Sequence, residues 1–142
     1  MMIKFTIITA LLLVGMQFIQ VEITPPTAKQ NEITAPTEVA TVLKKSCYDC
    51  HSNDTKLPWY GDVAPMSWFV RKHINDGRKV VNFSTFHELP KSKQKDMYER
   101  IGKSVVIRMP LPSYTWIHGE AKLSQKEKKM LQKWSKEAFK RL

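Results

Sequence analysis

Two cysteines and a histidine stand within five residues, Cys47-Tyr48-Asp49-Cys50-His51, and the 142-residue chain has no further cysteine. C-x-x-C-H is the spacing that attaches a c-type haem. Residues three apart on a helical turn share a face, so Cys47 and Cys50 can both meet one porphyrin edge and form thioethers with its two vinyl groups. His51, next along the chain, is then aimed at the iron as its proximal ligand. Three other chemistries use cysteines this close. A thioredoxin-like redox pair needs a surrounding βαβ pattern, and no strand-rich, alternating segment flanks Cys47. A zinc ion would take Cys47, Cys50 and His51 with a distant His73, His87 or His118. Adjacent Cys50 and His51 are awkward for one tetrahedral ion, and no second close ligand pair is present. A disulfide between Cys47 and Cys50 closes too short a loop to stabilise much and leaves His51 without a role.

An iron held by one histidine takes a sixth ligand, a water or an open position, and that choice separates electron carriage from chemistry on a bound molecule. Met109 is the leading candidate, in Arg108-Met109-Pro110-Leu111-Pro112, where prolines stiffen the loop that presents its thioether. Met16 lies in the N-terminal apolar segment, and Met66, Met97 and Met130 fall on expected helices as packing residues. His73, on a helix, and His118, in the loop 114–120, keep bis-histidine ligation as the alternative. Arg78 and Arg108 are candidates to pair with haem propionates, although an arginine on a solvated face is the commoner case. Trp59 and Tyr60 are candidates to pack beside the porphyrin, with a plain core role weighed equally.

The elements that must position these residues follow from punctuation and periodicity. Residues 1–20 carry one lysine, Lys4, ahead of an apolar run shorter than the ~20 residues that span a bilayer comfortably, the layout of an export signal. No small-x-small cleavage site follows it, so an uncleaved N-terminal membrane anchor is the alternative. Residues 21–36, rich in Thr and Pro, read as a linker that holds the domain off a membrane or trails as a disordered tail. Residues 37–142 form the domain. Thr37 is placed to cap a helix in which Val39, Val42 and Leu43 recur at helical spacing, and that helix delivers the C-x-x-C-H motif at its end. A second helix is expected over 65–76, ended by Gly77, with Trp68, Phe69, Val70 and Ile74 on its buried side. Val81, Phe83 and Phe86 stand in near alternation, too short a run for a strand. A third helix is expected over about 91–106, burying Met97, Tyr98, Ile101 and Val105, before Pro110 and Pro112 force an extended loop. Ser124-Gln125-Lys126-Glu127 is a capping box opening a last helix with Met130, Leu131, Trp134 and Phe139 at helical intervals.

Lysine plus arginine number 23 against 13 acidic residues, a formal net charge of +10 concentrated after residue 90. No nucleic-acid-binding motif accompanies that charge, and the N-terminus points to export, which sets nucleic acid aside. For a small electron carrier, the charge steers docking to a redox partner with an acidic face. Haem is attached outside the cytoplasm in bacteria, so export and the motif agree. The expected location is periplasmic, with anchoring to the inner membrane through residues 5–19 as the alternative.

With these residues in hand, the chain resembles the bacterial haem-binding domain family, small exported cytochrome c-like proteins with a single haem. The resemblance runs from about residue 43 to residue 134. It is carried by Cys47-Tyr48-Asp49-Cys50-His51-Ser52-Asn53, Pro58-Trp59-Tyr60, Ala64-Pro65-Met66-Ser67-Trp68, His73-Ile74-Asn75-Asp76-Gly77-Arg78 and Asn82-Phe83-Ser84. Met109-Pro110-Leu111-Pro112-Ser113-Tyr114, His118, Leu123-Ser124-Gln125-Lys126-Glu127 and Trp134 complete it. The resemblance implies an all-α, cytochrome c-like domain around one covalent haem c, held at Cys47 and Cys50 with His51 as proximal ligand. It puts Met109 where cytochromes c carry their distal methionine. A single-electron carrier is the function expected. The competing reading is a haem enzyme or a peroxide or gas sensor with a labile sixth site, in which His118 or Arg108 is a distal polar group. A third is a haem-bearing structural module docked on a membrane complex.

Overall fold

The computed structural model describes residues 2–26 and 28–142, and their regular structure is helical throughout. The helices are α1 (Met2–Met16), α2 (Thr37–Ser46), α3 (Tyr48–His51), α4 (Met66–Val80), α5 (Lys91–Ile107), α6 (Pro112–Ile117) and α7 (Gln125–Arg141), with 3-10 turns between them. Among the described residues no helix is long and apolar enough to cross a membrane.

The longest pair, α5 and α7, forms the back wall. The expected capping box is in place: Ser124 Oγ accepts from Glu127 N–H at 3.2 Å, and the Glu127 carboxylate accepts from Ser124 N–H at 2.8 Å. The two helices run antiparallel, since Lys95 lies over the Phe139 ring at one end and Gly102 meets Ser135 further along. Tyr98 and Trp134 pack edge to face between them, centroids 5.4 Å apart, a geometry that the aromatic quadrupole favours. Met97, Tyr98, Ile101 and Val105 are buried from α5, and Leu131 and Trp134 from α7. Phe139 is exposed, with the Lys95 ammonium over its ring.

Against this wall sit Val39, Val42 and Leu43 of α2, with Tyr48, Val81, Phe83 and Phe86 closing the core. Thr37 does not cap α2. Pro36 holds the N-cap position without a side-chain bond, and Thr37 is already helical, its carbonyl accepting from the Thr41 hydroxyl at 2.8 Å. The alternating run after residue 80 is a 3-10 turn, Phe83–Glu88, started by the Asn82 side chain accepting from Ser84 N–H. Pro112 does not extend the loop but opens α6 from its first turn, where a missing N–H costs nothing.

Helix α4 departs most from the periodicity. It runs through Gly77 to Val80 and buries Ser67, Ile74 and Arg78, leaving Phe69 exposed and Trp68 and Val70 half-buried. Its neighbours explain this, for α4 is contacted on several sides rather than packed on one face. One of those neighbours is the segment read as a linker. Gln17 accepts from Ala64 N–H and donates to Ala64 O. Beyond it, Trp68, Arg71, Asn75 and Arg78 donate in turn to the backbone carbonyls of Ile19, Val21, Glu22 and Thr24. Further on, Ile33 is buried in the core and its N–H donates to Phe83 O at 2.8 Å. The stretch 17–26 and 28–36 is therefore fastened along the domain rather than trailing from it. Polar side chains at helical spacing meet the carbonyls of an extended chain, a match invisible to hydrophobic periodicity.

Candidate haem site

The C-x-x-C-H pentapeptide is one tight helical turn of its own. Helix α2 ends as Cys47 leaves helical geometry (φ −130°), and α3 restarts at once, with the N–H groups of Cys50 and His51 both donating to Cys47 O at 3.2 and 3.0 Å. Cys47 and Cys50 are free thiols three residues apart on that turn. Burial pushes the Cys47 thiol up to about 12 and the Cys50 thiol up to about 11, in the second case with help from the Asp49 carboxylate. Both stay protonated at neutral pH. The two intervening residues hold the turn in place. Tyr48 is buried and stacks on Phe83 with centroids 5.3 Å apart. Asp49 accepts from the Tyr114 hydroxyl at 2.6 Å, and its backbone oxygen accepts from the Thr55 hydroxyl at 2.6 Å.

The His51 ring is fixed by the end of α4. Its Nδ1 faces the carbonyls of Val81 (2.9 Å) and Gly77 (3.1 Å). Carbonyl oxygens only accept, so Nδ1 carries the proton and Nε2 keeps its lone pair for a metal. Burial lowers the pKa of His51, partly opposed by those two backbone bonds, so the ring is neutral at pH 7. Such proximity needs Gly77: a Cβ there would lie 2.7 Å from Cys50 O and 3.4 Å from His51 Cε1. Gly77 therefore does not end the helix but permits the close crossing of α4 over the motif. Two free thiols on one helical turn and an oriented, neutral imidazole next to them are a donor set that fits a haem.

Arg78, one residue on, is nearly buried. Its Nε donates to Ser52 O at 2.7 Å, Nη1 to Thr24 O at 2.9 Å and Nη2 to Thr55 Oγ1 at 3.0 Å. It ties the loop after His51 to the N-terminal segment. Met109 follows α5, with its N–H donating to Ser104 O at 2.8 Å. It lines a cleft of about 740 Å³ together with Ile107, Arg108, Trp116 and Leu123. Arg108 is exposed at that rim. Cys47, Cys50 and His51 do not line this cleft, so the structure gathers Cys47, Cys50, His51 and Arg78 in one place and Met109 with Arg108 in another. Trp59 is 80 % exposed and packs edge-on to Tyr60 at 5.8 Å.

His118 stands in a polar aromatic group sequence reasoning did not assemble. Its Nε2 meets the Tyr60 hydroxyl at 2.6 Å, its Nδ1 meets Glu120 at 3.2 Å, and its ring stacks on Tyr114, centroids 4.5 Å apart. Both ring nitrogens are engaged. Burial, followed by the bond to Asp49, raises the Tyr114 hydroxyl, which stays protonated and donating. His73 is exposed beside Phe69, and His87 pairs with Thr34. Asp49, Gly77, Val81 and Tyr114 are the site residues that sequence reasoning missed. Asp49, Gly77 and Tyr114 stand in the segments that carry the resemblance but without a role assigned, and Gly77 reads in the sequence as a helix end.

The family model described as a haem-binding domain matches residues 11–137. That stretch starts inside α1 and takes in the fastened N-terminal segment as well as every site residue named above. No curated protein and no solved structure matches the chain.

Proposed function

The chain belongs to the haem-binding domain family and binds haem, and from that premise we propose a c-type, single-electron carrier. One haem would be joined to Cys47 and Cys50 with His51 on its iron, and Met109 would be the sixth ligand: it lines a separate cleft, but its loop leads into α6, whose Tyr114 hydroxyl reaches Asp49 of the motif. The observation that carries the reading is His51, whose Nδ1 is committed to two backbone carbonyls while Nε2 is left for iron. Cys47 and Cys50 would each hold the haem through one thioether, the S–H adding across a vinyl C=C with its hydrogen passing to the other vinyl carbon and no net change of oxidation state. Bound haem supplies a one-electron iron couple. A thioether ligand raises its potential, and Met109 is the thioether on the proline-braced loop. His118 and His73 are weaker alternatives, the first because both nitrogens already have partners, the second because it points to solvent beside Phe69. The partner is a redox protein with an acidic face, met in the periplasm.

Absorption spectra of the haem-loaded protein, wild type and Met109→Ala, test the ligand. A weak sulfur-to-iron band at the near-infrared edge is expected in wild type and absent in the variant. An unchanged spectrum removes Met109. A high-spin wild-type spectrum, shifted by carbon monoxide on reduction, would favour the enzyme or sensor reading, for which the Tyr60–His118–Glu120 group is the distal polar candidate.

A further inference from the structure

Among the described residues helix α1 is not packed into the core, and only Met16 at its end is half-buried. None of its residues is buried, and Phe5, Ile8, Leu11, Leu12 and Val14 are all more than half exposed on different faces. A helix packed on one partner shows an apolar stripe, and one lying flat on a membrane shows a polar face. Helix α1 has neither, being apolar on every side apart from Lys4, Thr6 and Thr9.

Apart from Lys4 near its start, the polar side chains of the helix are satisfied internally, as lipid demands. The hydroxyls of Thr6 and Thr9 fold back onto Met2 O and Phe5 O, each at 3.0 Å. The last four carbonyls of a helix ordinarily lack intrahelical partners, yet here each is capped. Gln17 Nε2 donates to Leu13 O, and the N–H groups of Gln17, Phe18 and Ile19 donate to the carbonyls of Val14, Gly15 and Met16. From Gln17 onward the chain is handed to α4 without slack through Ala64, Trp68, Arg71, Asn75 and Arg78. An indole and a guanidinium at the exit are the side chains that favour a membrane–water boundary.

We propose that residues 2–24 stay on the mature protein as a lipid anchor, with α1 in the hydrocarbon of a membrane and residues 17–24 fastened to α4 as part of the haem-bearing domain. The 15 residues of α1 reach about 22 Å at 1.5 Å per residue. That enters, without spanning, a hydrocarbon core of roughly 30 Å. The domain then rides on the surface with no free tether, and Arg78 links the anchored segment to the loop behind His51. The proposal draws on the exported haem-protein reading only for the side of the membrane the domain faces.

The test is the full chain matured with haem in a bacterial host, fractionated, and read by intact mass and haem absorbance separately. The expected protein keeps the segment before residue 24, stays with membranes through an alkaline wash, and floats with phosphatidylethanolamine/phosphatidylglycerol vesicles. Leu12→Lys/Leu13→Lys should abolish flotation and leave the haem spectrum unchanged. Thermolysin should cut between residues 17 and 24 at least about tenfold faster in Arg71→Ala/Asn75→Ala than in wild type, since the segment must detach to be cut. Soluble haem protein beginning after residue 16, a self-associated protein that ignores vesicles, or equal cutting rates would overturn the proposal and leave the haem reading intact. An intact, vesicle-bound chain carrying no covalent haem would do the reverse.

Discussion

At the scale of single residues, the site is defined by who holds the imidazole. His51 stays neutral because it is buried, and it is oriented because the carbonyls of Gly77 and Val81 take its Nδ1 proton. Gly77→Ala tests that arrangement. Its new Cβ would meet the Cys50 carbonyl at 2.7 Å, and backbone on both sides has little room to give. Alanine gains about 1 kcal/mol of helix propensity over glycine, less than the ~1–3 kcal/mol that overpacking costs. A lower urea midpoint is expected, together with a smaller haem-loaded fraction. A midpoint equal to wild type would mean that α4 can lift off the motif freely.

At the scale of elements, α5 and α7 meet where Gly102 faces Ser135. A Cβ on Gly102 would stand 2.6 Å from Ser135 Oγ but 3.7 Å from Ser135 Cβ, so only the hydroxyl is in the way. Gly102→Ala alone should therefore change stability little, clash against propensity, whereas Gly102→Ala/Ser135→Ala should raise it by up to about 1 kcal/mol. Urea unfolding of both variants checks this, and an additive outcome refutes it. Helix α7 also carries an acid-sensitive start. Glu127 accepts from Lys45 at 2.5 Å and from Ser124 N–H. Those contacts hold its carboxyl down to about 2 from 4.5. A depressed carboxylate stabilises the fold above its unfolded value, so this contribution is full above about pH 4.5 and is lost as pH falls toward about 2. Glu127→Gln should flatten that part of the stability–pH curve, and an unaltered curve would assign the acid sensitivity elsewhere.

At the scale of the whole molecule, a net charge of +10 should govern association with an acidic redox partner. The Debye length shortens from about 30 Å at 0.01 M to about 8 Å at 0.15 M ionic strength. Over that range, the bimolecular electron-transfer rate with an acidic partner should fall about tenfold or more. The rate with a neutral small reductant should hold steady, and a salt-independent rate with the acidic partner would show that the lysines form only a solvated surface.

The motif, the helical class and the core of α2, α5 and α7 were legible in the sequence, because local spacing and 3.6-residue periodicity report whatever is decided within a few turns. Cys47, Cys50 and His51 needed no fold to be recognised, and Ser124 with Glu127 announced a helix start that the structure keeps. What tertiary structure alone decided were contacts between residues distant in sequence. Gly77 looked like a helix end because glycine is a poor helix former. Its position inside α4 makes sense only once Cys50 crosses it at close range. Residues 21–36 looked like a tether because Pro and Thr discourage regular structure. Their backbone carbonyls were free to bond, and a row of donors on α4 holds Val21, Glu22 and Thr24. Such pairings join backbone oxygens to side chains some 50 residues away, and neither periodicity nor composition records them.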